Sequence, residues 1–287
     1  SKRTLYELFH DKEDLLLDVM KLHREIIGRY GISSNDISEL SQNIINDIGN
    51  IKGNMLNAQE YEPSCCKKED FIKVYNAYNL ELKKDGKMDF DDILRECYLL
   101  LCENHTILEQ WRELYKYILI DEFQDINRIQ MNIIELLASP LNNIFVVGDD
   151  DQSIYGFRGA RPEIMIAFKD YYPEAELIVL NVNYRSTQSI INVAGRVIEN
   201  NKTRLDKCAH ANNNKDFQPD IRKFRNQVEE LKFVVSKIKE YENQGISLSE
   251  MAILVRNNSQ IQEISSFLKN RKIEAESGKY RSNVYNG

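Results

Sequence analysis

Three short apolar runs constrain the fold of this chain more than any other feature. Tyr117-Ile118-Leu119-Ile120, Ile144-Phe145-Val146-Val147 and Leu177-Ile178-Val179-Leu180 each end at once in polar or acidic residues. A short continuous apolar run bounded in this way is the pattern of a strand buried on both faces. Helical patterns fill the intervals, Arg128 to Ala138 and Glu163 to Tyr171, so the segment reads as βαβ units around a parallel sheet. In such sheets the residues just beyond the carboxyl end of a strand are where ligands bind. Here those residues are Asp121-Glu122, Gly148-Asp149-Asp150-Asp151 and Asn181.

Upstream of Tyr117 the pattern is helical almost throughout. Leu5, Leu8, Phe9, Leu15, Leu16, Val19, Leu22 and Ile26 recur at helical steps, interrupted at Asp11 to Asp14, which predicts one short and one longer helix between Thr4 and about Arg29. Ser33-Ser34-Asn35-Asp36 is a helix-start signal, and Ile37, Leu40, Ile44, Ile45 and Ile48 continue at helical spacing. Gly53 to Ser64 reads as a polar loop, and Lys67 to Lys84 as a helix with Phe71, Val74, Tyr75, Tyr78 and Leu82 on one face. Downstream, Asp220 to Phe224, Met251 to Val255 and Ile273 to Ala275 read as strands, with helices at Gln227 to Tyr241 and Ser259 to Lys269.

With 287 residues, 42% of them hydrophobic and 29% charged, the chain can bury a core and is no disordered tail. Its apolar runs, such as Cys97 to Cys102, fall far short of the ~18 residues of a membrane span, and no secretory signal is visible. The expectation is a soluble cytoplasmic protein with no membrane partner. A net charge of −7 argues against a basic coat over the whole surface but leaves room for a local cationic groove. The five cysteines form no CxxC pair and the four histidines no HExxH, so reduced thiols are expected and zinc–histidine catalysis is not.

The chemistry concentrates after the first run, at Asp121-Glu122. One carboxylate there can hold a hard cation, usually through water, while its neighbour takes a proton from attacking water. An acidic pair after a strand also serves as a plain solvated turn, so the pair by itself does not decide.

The wider pattern is far more specific. Asp121-Glu122-Phe123-Gln124-Asp125 is followed by Val147-Gly148-Asp149-Asp150-Asp151-Gln152-Ser153-Ile154-Tyr155-Gly156-Phe157-Arg158-Gly159-Ala160, and then by Leu180-Asn181-Val182-Asn183-Tyr184-Arg185-Ser186-Thr187. In this order the three blocks resemble motifs II, III and IV of the superfamily 1A DNA helicases of the UvrD/PcrA/Rep type. Met88-Asp89-Phe90-Asp91-Asp92-Ile93-Leu94 is similar to part of that family's 1B subdomain.

The resemblance implies an α/β fold: partial RecA-like P-loop NTPase parallel sheets with an α-helical insertion (1B) lobe. It divides the chain into a 1B-like region at 1–110, the second half of domain 1A at 111–180 and the first half of domain 2A at 181–287. It implies an ATP-dependent 3′-to-5′ helicase that uses ATP and Mg²⁺ and acts on single-stranded DNA and duplex junctions. Asp121 then resembles the Mg²⁺-associated aspartate and Glu122 the water-activating base, both beside the metal. Gln152 resembles the γ-phosphate sensor, Tyr184 the adenine-stacking residue and Arg185 an arginine finger that meets developing phosphoryl charge. Tyr155, Phe157 and Arg158 resemble single-strand contacts, with phenylalanine where the family more often has tryptophan.

No GxxxxGK[ST] phosphate cradle occurs in the 287 residues; Gly86-Lys87-Met88 and Gly278-Lys279-Tyr280 both lack the Ser or Thr. Motifs V and VI are absent as well. The expectation is an internal piece of a longer helicase, inactive as an ATPase by itself, with an exposed sheet edge that favours self-association. A truncated single-strand- or protein-binding module and part of an AddA- or RecB-type helicase–nuclease subunit stay open as alternatives.

Overall fold

The computed structural model describes residues 37–213 and 217–276, together with Gly28. The helices expected between Thr4 and Arg29 lie outside the described residues. Two compact units divide the chain, Ser1–Asp216 and Phe217–Gly287.

The first unit begins with a helical lobe. Helices α1 (Ile37–Gly53) and α2 (Lys68–Lys84) pack through Leu40, Ile44, Ile48, Ile51, Phe71, Val74, Tyr78 and Leu82, which share one buried cluster. These are the three- and four-residue spacings that place side chains on one helix face. Helix α3 (Phe90–Glu103) starts at a capping box. Asp89 accepts from the Asp92 backbone N–H at 2.7 Å, and the Asp92 carboxylate accepts from that of Asp89 at 3.3 Å. Helix α4 (His105–Leu114) then leads into the sheet.

Lys52, at the end of α1, ties this lobe together. Its ammonium lies 2.7 Å from both Asp89 and Asp92, and the Tyr78 hydroxyl donates to Asp89 at 3.0 Å. A third carboxylate, Asp91, sits in the same environment. Burial, and then the charge of Asp89, outweigh Lys52 and push its pKa up to about 6. A carboxylate with a raised folded pKa holds its proton more tightly folded than unfolded. Its contribution to stability therefore falls as pH rises from about 4 to about 6. Asp91→Asn is expected to stabilise the chain by about 1–2 kcal/mol at pH 8, a gain that vanishes near pH 4. Urea unfolding at the two pH values checks this.

The sheet forms where the apolar runs predict it, but it is not buried on both faces as expected: Leu119 and Phe145 are 73% and 58% exposed. Strands β1 (Ile118–Ile120) and β2 (Ile144–Val146) pair in parallel, with Ile118, Leu119 and Ile120 opposite Ile144, Phe145 and Val146. Helix α5 (Arg128–Ala138) makes the crossover, capped by Asn127, whose side chain accepts from the Gln130 N–H at 3.1 Å. Phe123, Ile126, Met131 and Ile164 form the core beneath the strand ends. The expected helix at Glu163 to Tyr171 is divided into α6 (Pro162–Ile166) and α7 (Phe168–Tyr171). Ala167, at φ −85° and ψ 10°, leaves helical geometry between them, and the Phe168 ring meets Phe123 edge-on at 5.5 Å.

The third apolar run departs from expectation. Leu177 to Leu180 forms no ladder, and Leu180 is 84% exposed. The strand here is β3 (Val182–Asn183), two residues later, paired in parallel with β4 (His210–Ala211). Helix α8 (Gln188–Ile198) lies between them in sequence. Apolarity marks a segment that gains by burial, but a strand also needs a partner's N–H and C=O groups. No described segment offers them to residues 177–180. Each sheet among the described residues has two strands, so every strand keeps one unpaired edge.

The second unit is built on helices α9 (Gln227–Asn243) and α10 (Asn258–Lys269), packed through Val235, Ile238, Leu268 and Ile273. Its three expected strands, Asp220 to Phe224, Met251 to Val255 and Ile273 to Ala275, are not formed. Ile221 and Leu254 face solvent, whereas Ile273 is buried against the helices. Here too the apolar residues lack a partner strand among the described residues. No helix of the described residues is long and apolar enough to cross a membrane.

Candidate nucleotide and nucleic-acid site

The parallel register brings the ends of β1 and β2 level. The Val147 N–H donates to the Ile120 carbonyl at 2.8 Å and the Phe123 N–H to the Val147 carbonyl at 2.9 Å. Asp121 and Glu122 leave β1 at this point, both exposed. Glu122 adopts the left-handed conformation, φ 51° and ψ 43°, at a cost of about 1–3 kcal/mol for a residue with a Cβ. Two hydrogen bonds hold it there: the Asp121 carboxylate accepts from the Glu122 N–H at 2.9 Å, and Gln124 donates to the Glu122 carboxylate at 2.8 Å.

Gln124 is the residue that the sequence left unassigned. Its side chain is 1% exposed, and its carbonyl oxygen accepts from the Asp149 N–H at 3.0 Å. One amide thus bridges the Glu122 carboxylate to the backbone at the end of β2. Gly148 leaves room for it, since a Cβ there would lie 2.6 Å from the Gln124 oxygen. Asp125 lies close by with its Oδ1 buried and unpartnered, and burial together with the Glu122 charge raises its pKa.

Beyond β2, Asp149, Asp150 and Asp151 enter a 3₁₀ turn ending at Gln152. Gln152 is exposed and donates to Asp149 at 2.7 Å. Lys207 makes ion pairs with all three aspartates, Asp151 at 3.1 Å. Arg204 grips Asp151 with two bonds of 3.1 and 2.8 Å, and the Leu205 N–H donates to Asp150 at 2.9 Å. Burial pushes the Asp149 carboxyl up, but the bonds from Lys207 and Gln152 outweigh it and hold the pKa below the usual value. That stability is present above about pH 4 and is lost as the pH falls further.

Lys207→Met would leave these carboxylates facing one another, Asp150 with a side chain only 2% exposed. The expected cost is about 2–3 kcal/mol, somewhat under the roughly 3–5 kcal/mol for breaking a fully buried pair, because Lys207 is 23% exposed and Arg204 remains. Thermal unfolding of the variant reads this directly.

The next turn carries the aromatic residues. The Tyr155 and Phe157 ring centroids lie 6.0 Å apart at 45°, and the Arg158 guanidinium sits 5.3 Å and 5.4 Å from them. All three residues are exposed. Two π-faces and a cation on one turn make a platform for stacking bases and meeting a phosphate. Tyr184 and Arg185 follow β3, where the Asn183 side chain accepts from the Arg185 and Ser186 N–H groups at 3.0 and 2.7 Å. Both are exposed, and among the described residues no hydrogen bond or ion pair joins their side chains to the ends of β1 and β2. The structure therefore groups Asp121 with Glu122, and Tyr155 with Phe157 and Arg158, but does not bring Tyr184 or Arg185 to either group.

Residues 4–173 match the UvrD/REP helicase N-terminal domain. The chain belongs to the UvrD/REP helicase family. Residues 178–281 match the UvrD-like helicase C-terminal domain. Membership implies the RecA-like fold, with which the parallel β1–β2 pair and its helices accord. Among similar proteins, the probable DNA helicase II homolog of Mycoplasma capricolum is 36% identical over 84% of this chain and 34% of its own length. The ATP-dependent DNA helicase PcrA of Leuconostoc citreum is 33% identical over 86% of this chain and 33% of its own length. DNA helicase II of Escherichia coli is 42% identical over 66% of this chain and 26% of its own length. The chain thus spans about a quarter to a third of the relatives it matches.

Among the described residues no three His, Cys, Asp or Glu side chains gather as a metal cage. The exposed Asp121–Glu122 pair still fits Mg²⁺, which keeps several waters and needs only one or two carboxylates beside substrate phosphates.

Proposed function

We propose that the protein to which this chain belongs is an ATP-dependent helicase that moves 3′ to 5′ on single-stranded DNA and separates duplexes at junctions. One observation carries this reading. The carboxylate pair ending β1 and the turn bearing Tyr155, Phe157 and Arg158 follow adjacent parallel strands, and Gln124 joins the pair to the Asp149 backbone at the end of β2, upstream of that turn. In this reading Asp121 holds Mg²⁺, which neutralises phosphate charge when bound, and the Glu122 carboxylate takes a proton from the attacking water. Gln152 senses the terminal phosphate. Tyr184 stacks on adenine and Arg185 stabilises phosphoryl charge. Tyr155, Phe157 and Arg158 hold the single strand.

Residues 1–110 are assigned to a 1B-like helical region, 111–180 to the second half of domain 1A and 181–287 to the first half of domain 2A. The passage from one family match to the other between residues 173 and 178 supports the second boundary. Five free cysteines support a cytoplasmic setting. The 287-residue polypeptide, with no phosphate-cradle sequence, is assigned no ATP turnover of its own, and the exposed β1 and β2 edges favour its self-association.

Unwinding by the whole protein, with Mg-ATP, of duplexes tailed at either the 3′ or the 5′ end tests the reading. Strand separation that needs the 3′ tail is expected. Separation only from the 5′ tail, or none, overturns it.

A further inference from the structure

The turn that carries Tyr155, Phe157 and Arg158 does not hold its own shape. Its internal bonds, from the Arg158 and Ala160 N–H groups to the Tyr155 carbonyl at 2.8 and 3.3 Å and from the Gly159 N–H to the Gly156 carbonyl at 3.0 Å, close a single short turn. Such a turn has few bonds to resist rotation. Its end is fixed from outside, by the Arg161 N–H, which donates to the Ile126 carbonyl at 2.9 Å, and by the segment that follows helix α1.

Asn54 makes that connection. It is 6% exposed, and its amide group donates to the Gly159 carbonyl at 3.0 Å and to the Asn50 side chain at 2.7 Å. Its carbonyl oxygen accepts from the Arg128 N–H at 3.2 Å, in the first turn of α5. Both donors and the acceptor of one buried amide are in use. Gly159 is shaped for this approach: φ is +85°, and a Cβ would stand 3.0 Å from the Asn54 nitrogen and 3.4 Å from the Asn50 Cα. The Asn54–Gly159 bond spans 105 positions of sequence and joins the helical lobe to the aromatic turn.

We propose that Asn54 is a positioning residue for single-stranded DNA. Its amide fixes the Gly159 carbonyl and so sets the direction in which Tyr155, Phe157 and Arg158 face the strand. This rests on the reading of that turn as the single-strand contact.

The test is fluorescence anisotropy of labelled oligothymidylate with the full 287-residue chain, carrying Asn54→Ala, Asn54→Asp or Phe157→Ala, or Asn54→Ala with Phe157→Ala. Asn54→Asp keeps an acceptor for Arg128 and loses both donors. Each Asn54 change is expected to weaken binding about 10-fold, and Phe157→Ala to add less than about 2-fold on top, because a displaced ring has little left to lose. Wild-type affinity in both Asn54 variants, or losses that multiply with Phe157→Ala, overturns the proposal. A merely structural role would lower the melting temperature without that coupling. If the Asn54 variants do not fold, Gly159→Ala displaces the same turn from its other side, and the same coupling with Phe157→Ala is required of it. If the wild-type chain binds and Tyr155→Ala/Phe157→Ala binds equally well, the underlying reading of the turn fails, whatever Asn54 does.

Discussion

Changing Tyr155 and Phe157 together to alanine is expected to weaken single-stranded DNA binding at least 30-fold. A base stacked on an aromatic side chain contributes about 1–3 kcal/mol, so two lost platforms remove about 2–6 kcal/mol. Tyr155 is 38% exposed and Phe157 54% exposed. Neither belongs to the core beneath the strand ends, which is made of Phe123, Ile126, Met131 and Ile164. Stability of the double variant should therefore stay within about 0.5 kcal/mol of wild type. Arg158, which lies over both rings, would remain and keep a weak, salt-sensitive phosphate contact. Anisotropy and thermal unfolding on the same sample separate the two effects. A loss of affinity matched by a loss of stability would mean that the rings are structural.

Glu122→Gln is expected to lower kcat for ATP hydrolysis by the whole protein about 10²- to 10⁴-fold, the usual contribution of a positioned general base. The substitution is conservative in shape. A glutamine oxygen can still accept the bond from Gln124, and the left-handed backbone of residue 122 needs no change. What it removes is a carboxylate that can take a proton. Affinity for single-stranded DNA should be unchanged, because the aromatic turn is held through Gly159 and Asn54 and not through Glu122. Steady-state turnover saturated with DNA checks the first expectation and anisotropy the second. A kcat within a few-fold of wild type would remove Glu122 from the role of base.

Much of this was legible in local sequence. The β1 and β2 runs, the helices at Lys68–Lys84, Arg128–Ala138 and Gln227–Asn243, and the exposed residues at the strand ends stand where periodicity and polarity put them. The strands that failed to form share one cause. Leu177 to Leu180 and Met251 to Val255 have strand composition, but pairing depends on a partner that composition does not reveal. The contacts that organise the site are equally nonlocal. Lys207 meets Asp149 across 58 positions, Gln124 meets the Asp149 backbone across 25, and Asn54 meets Gly159 across 105. In sequence Asn54 is one polar residue in a loop, and Lys207 one lysine in a mixed segment. Gln124 alone carried a hint, a neutral amide between Phe123 and Asp125 directly after the carboxylate pair.

Equilibrium binding of labelled oligothymidylate to the wild-type chain at low salt, with a salt titration and a duplex competitor, is the most direct test. Saturable binding is expected that weakens as salt rises, favours the single strand over duplex and is indifferent to Mg-ATP. No binding at low salt, or duplex bound as tightly as single strand, would contradict the single-strand reading.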